Sequence, residues 1–117
     1  MPPVARKNPL KLNPLQLKTL TLLQFMATLE RHGVPVDEPA GGVRIVNLPH
    51  AHGNHFHLGD AVVSTADATG LTNQAVYIAL MRKELVAMSP DQGVVLLPAG
   101  RDYATGLADV ILHRADH

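Results

Sequence analysis

The chain has 117 residues, enough for one domain with its own hydrophobic core, and no cysteine, which excludes a disulfide framework, a thiolate metal site and a thiol nucleophile. Ten Lys and Arg balance ten Asp and Glu, but Arg6, Lys7, Lys11 and Lys18 put +4 on residues 1–20 and leave −4 on the rest, so no general electrostatic footprint for nucleic acid is present. The apolar runs are short, and Met1, Pro2 and Pro3 open the chain without an apolar signal core, which predicts a soluble cytoplasmic protein that makes no use of a membrane.

Residues 1–12 hold three of the nine prolines and most of the basic arm, and read as a flexible tail. The rest, 13–117, reads as one domain. Asn13 is a good N-cap, Pro14 suits the first helical position and Gln16 can close a capping box, so a helix is expected from Pro14 to about His32, with Gly33 as its C′ residue. Its apolar residues, Leu15, Leu17, Leu20, Leu22, Leu23, Phe25, Met26 and Leu29, cover more than one stripe. Such a helix is central to a core or shared with a second subunit.

After a Pro- and Gly-rich link over 34–42, strands are expected at 43–51 and 55–58, joined by a two-residue turn at Gly53 and Asn54. Residues 59–69 read as a short helix, Gly70 and Leu71 as a turn, and 73–85 as a helix capped by Thr72. Residues 86–88 and 94–97 flank a Pro- and Gly-bearing turn and predict a β-hairpin. A last helix over 100–114 would set Tyr103, Leu107, Val110 and Ile111 on one apolar face. The class is α+β: a three-helix core with a β-hairpin wing, an additional hairpin on its N-terminal side, and a C-terminal helix.

Ala66, Gly70, Leu71, Val76 and Leu80 follow a pattern of a small residue packed between helices, a glycine at a turn, and apolar anchors in the next helix. The segment Leu97, Pro98, Ala99, Gly100, Arg101, Asp102, Tyr103 and Ala104 reads as an exit from the wing into the final helix. With the element order, these segments resemble the winged helix-turn-helix domain of bacterial transcription regulators, broadly the multiple-antibiotic-resistance and PadR types. The resemblance implies that the helix after Thr72 enters the major groove of double-stranded DNA. Thr72, Asn73, Gln74 and Tyr77 then face bases, with Arg82 and Lys83 near phosphates. Homodimers are the common form of such regulators, so a homodimer through the first or last helix is expected. A winged helix can equally serve as a protein-interaction module without DNA affinity. Asp91 in a wing turn without Lys or Arg, and Ile78 and Met81 beside the reading face, suit that alternative. No nucleophile, base and orienting acid form a local motif, so no enzyme is expected.

Four histidines fall together: His50, His52, His55 and His57. A turn at Gly53 and Asn54 would set His52 opposite His55 and His50 opposite His57, all on one face. Neutral imidazoles so placed suit a divalent transition metal such as zinc or nickel, which would make a metal-responsive regulator. The same face can also be a solvated, histidine-rich strand surface. Ala51, Phe56 and Leu58 would lie on the opposite, core-like side, while His32, His113 and His117 read as surface residues.

Overall fold

The computed structural model describes residues 8–51 and 53–114. Most of the expected tail, residues 1–7, and His52 and His117 therefore lie outside the described residues. The domain is α+β, and the described residues form four α-helices and two antiparallel sheets.

Helix α1, Pro14–Met26, starts as its sequence requires. Gln16 N donates to Asn13 Oδ1 at 2.8 Å and Asn13 N donates to Gln16 Oε1 at 3.0 Å, a closed capping box behind Pro14. The helix stops six residues short of His32. Past Met26 the bonding tightens to the i−3 pattern, with Thr28 N on Phe25 O and Leu29 N on Met26 O, each at 3.0 Å, and Thr28 Oγ1 takes the Phe25 carbonyl as well. Gly33 is not the C′ residue. The chain turns back there, so close that a Cβ would lie 2.6 Å from Ala27 O.

Gly33 instead opens strand β1, Gly33–Pro35, which pairs with β2, Val43–Ile45. Strand β2 also pairs with β6, Gly93–Leu96, which forms a hairpin with β5, Val86–Ser89, giving a first sheet in the order β1-β2-β6-β5. The hairpin expected after residue 85 is thus present, and Ser89 Oγ steadies its tip by accepting from Gln92 N at 3.0 Å.

The hairpin expected across Gly53 and Asn54 does not form. Strand β2 ends at Ile45, because Asn47 adopts a left-handed φ of 53° and Pro49 has no N–H for a ladder. Strand β3, His55–Leu58, pairs forward with β4, Ala61–Ser64, around Gly59 and Asp60, with His57 opposite Val62 and His55 opposite Ser64. Residues 59–69 are therefore a turn, a strand and a 3-10 turn, Thr65–Asp67, in place of a helix. Gly-Asp between two alternating runs is a hairpin signal of the same kind as Gly-Asn. Phe56 and Leu58 do face the core, but Ala51 is exposed. A short β7, His113–Arg114, completes this second sheet.

A second 3-10 turn, Thr69–Thr72, leads into α2, Gln74–Arg82. Asn73, not Thr72, caps α2, its Oδ1 accepting from Ala75 N at 3.0 Å. The helix ends before Leu85 because Glu84 turns to a left-handed φ of 61°. Gly70, Leu71, Val76 and Leu80 are buried as expected, whereas Ala66 is exposed and Ala68 packs in its place.

The expected final helix is split into α3, Pro98–Asp102, and α4, Ala108–Ile111. Tyr103 is extended and Gly106 has a φ of 73°, so helical geometry cannot run through them. Ile111 is fully buried while Val110 is 52% exposed. The single apolar face expected for a last helix over 100–114 is therefore absent.

Helix α1 is the centre of the core. Leu20, Leu22, Leu23 and Met26 have no exposed surface, and they pack with Leu58, Val63, Leu80, Leu96 and Ile111. Leu15, Leu17, Phe25 and Leu29 are partly buried against the same core, so apolar residues on more than one face of α1 pack within the chain. Asn8, Leu10 and Leu12, read as part of the tail, also reach the body. Leu12 is buried, and Tyr103 OH donates to Asn8 Oδ1 and accepts from Leu10 N. Among the described residues no helix is long and apolar enough to cross a membrane.

Candidate functional site

Helix α2 presents the first candidate surface. Val76, Tyr77 and Leu80 turn into the core, which leaves Gln74, Ile78 and Arg82 in one outward row at i, i+4 and i+8. Thr72, Asn73, Gln74 and Ala75 are all exposed at its N-terminal end. Arg82 and Lys83 are exposed at the other end, about 12 Å along the axis from Gln74. Of the side chains expected to face bases, Thr72, Asn73 and Gln74 thus share one exposed turn.

Tyr77 does not join them. Its ring is buried, and its hydroxyl donates to Leu71 O at 2.7 Å, inside the turn that precedes α2. Burial pushes the phenol up to about 12. The side chain anchors the turn to the helix, and the correction follows from helical geometry: position 77 falls 100° from 76 and on the same side as 80.

The surroundings of α2 carry few cations. The β5–β6 hairpin has Asp91 at its tip and no Lys or Arg, and Lys18 is paired with Asp67 at 2.9 Å. Met81, beside the outward row, is 39% exposed.

The histidines are distributed by the observed register. His55 and His57 project from the same side of β3, with ring centroids 5.2 Å apart in an edge-to-face arrangement. His50 lies on the irregular segment after β2 and lines, with His57, a surface pocket of about 370 Å³. Among the described residues, no three His, Asp or Glu side chains are grouped so as to hold a metal ion. The 50–57 and 52–55 strand pairing from which a four-imidazole face for zinc or nickel was expected is not the one formed, since β3 pairs with β4, and His52 lies outside the described residues.

The same pocket gathers two residues that sequence spacing did not connect with the cluster. Arg31 and His32 line it together with Asn47, Leu48, Pro49, His50 and His57. Val46 N donates to His32 O at 2.8 Å and Asn47 Nδ2 donates to Arg31 O at 2.8 Å, so the ladder of β1 and β2, continued by one residue, brings them together. Only a signal for the β1–β2 pairing could have exposed this. The chain matches no protein-family model, no curated protein and no solved structure, and a reading of its function rests on the geometry of these two surfaces.

Proposed function

We propose that this chain is a winged-helix DNA-binding domain of a transcription regulator, with α2 as its reading helix. The observation that carries the reading is the strand pairing around α2. Strand β2, which precedes the turn and α2 in the chain, pairs with β6, so the β5–β6 hairpin is joined to the sheet directly after the helix. A helix whose N-terminal turn projects, followed by such a hairpin, is the arrangement by which winged helices address a major groove. Thr72, Asn73 and Gln74 supply the polar contacts. Gln or Asn can bond adenine through two hydrogen bonds, and Arg82 and Lys83 serve the phosphates.

Selection of bound duplexes from a random library at low salt tests the reading. An enriched site is expected, on which Gln74→Ala loses about 1–3 kcal/mol while Arg82→Ala weakens all sequences alike and lowers the salt slope by about 1. A library that yields no enriched sequence would sink it. The exposure of Met81 next to Ile78, with Asp91 at the hairpin tip, favours a second reading, a protein-interaction module using the same face.

A further inference from the structure

The structure assigns a second binding site, for a small organic anion that also carries a hydroxyl, to the pocket between Arg31 and the segment 47–50. The site stands on its own geometry and is independent of the DNA reading.

Its frame is built by backbone. Residues 31–33 and 45–47 are laced together by Val46 N on His32 O and by Asn47 Nδ2 on Arg31 O, each at 2.8 Å. Asn47 takes the left-handed conformation at this point, which turns the following residues around the mouth of the pocket. The pocket is half open to solvent, and its volume, about 370 Å³, is at the small end of the range used by ligand sites.

The lining offers three distinct chemistries. Arg31 brings a permanently charged guanidinium with donors in a planar fork that matches a carboxylate. No carboxylate lines the pocket, and among the described residues none stands within ion-pairing distance of Arg31. His32 Nδ1 lies 3.2 Å from Val46 O. A carbonyl can only accept, so Nδ1 donates, and the neutral ring keeps Nε2 as an acceptor suited to a hydroxyl. His50 adds a further imidazole to the lining, able to donate or accept. Leu48, itself 40% exposed, and Pro49 provide an apolar wall for a carbon skeleton. A carboxylate on Arg31, a hydroxyl on His32 and a ring or short chain against Leu48 and Pro49 satisfy all three, which describes a 2-hydroxy acid with an apolar substituent.

The test titrates the full chain with mandelate and follows the side-chain signals of Arg31, His32, His50 and His57 by NMR. Phenylacetate, which lacks the hydroxyl, and mandelamide, which lacks the charge, are run alongside. Mandelate is expected to shift the Arg31 and His32 signals with saturation in the millimolar range. Phenylacetate should bind more weakly and mandelamide at least about tenfold more weakly, as expected for loss of a charge-assisted pair. Arg31→Gln should reduce mandelate affinity by about tenfold, Arg31→Lys by less, and Lys83→Gln not at all. An unchanged melting temperature in Arg31→Gln, an exposed position, separates lost binding from lost fold. Equal shifts with mandelate and mandelamide, shifts centred on other residues, or undiminished binding in folded Arg31→Gln would each overturn the assignment.

Discussion

Gly70 lies against Thr19 so closely that a Cβ at position 70 would collide with the Thr19 hydroxyl, which is held in place by its bond to Leu15 O at 2.8 Å. This contact sets the distance between α1 and the 3-10 turn that presents α2. Gly70→Ala should destabilise the domain by about 1–3 kcal/mol, the usual range for overpacking a closed interface, or more if the backbone cannot yield. Urea unfolding measures it. Thr19→Ala removes the hydroxyl, and in a double-mutant cycle should recover part of the loss. Strict additivity of the two substitutions would show that the contact does not limit the approach.

Tyr77 makes stability depend on alkaline pH. Its phenol is raised from 10.0 to about 12 by burial, so between these values the folded state holds a proton that the unfolded state has released. Its contribution is fully present below pH 10 and is lost as pH rises through 12, a loss on the order of 2–3 kcal/mol. Tyr77→Phe should flatten this part of the stability profile. It should also cost about 1–3 kcal/mol at neutral pH, because Leu71 O loses its donor. Denaturation curves taken at several alkaline pH values, for both proteins, give the comparison.

Gln24 ties α1 to α3 through one amide group. Its Nε2 donates to Gly100 O at 2.8 Å and to Tyr103 O at 2.7 Å. Gln24→Ala should lower stability by about 1–3 kcal/mol and raise amide hydrogen exchange over residues 98–105 before other regions respond. Uniform exchange across the domain in this variant would contradict a local tie.

Gly59 turns the β3–β4 hairpin with a φ of 58°, and a Cβ there would approach Leu29 Cδ2 to 3.0 Å. Gly59→Ala should therefore cost about 1–3 kcal/mol from backbone strain, while Gly53→Ala, also at positive φ but with open space around it, should cost less. Thermal melts of the two variants rank them. The reverse order would restore Gly53 as the position that organises the histidine strand.

What the sequence by itself determined are the features whose causes are local. Asn13, Pro14 and Gln16 carry the start of α1 within four residues, and the tip residues of the β5–β6 hairpin carry that turn. The apolar spacing of Leu71, Val76 and Leu80 carries the inward face of α2, and Thr72, Asn73 and Gln74 are exposed as polar residues in a first turn should be. Tertiary structure decided everything that depends on which strand meets which. The end of α1 follows from the return of Gly33 onto Ala27, and Tyr77 was lost from the exposed face to a bond with Leu71. The expected strand pairing of His50 with His57 was lost when β3 paired forward with β4, and a one-sided alternation of imidazoles is compatible with either partner. The pocket that joins Arg31 and His32 to His50 arises from a ladder between residues fourteen apart, Val46 on His32. Backbone hydrogen bonds of that range leave no periodic trace in side-chain identity, since any residue but proline can donate them.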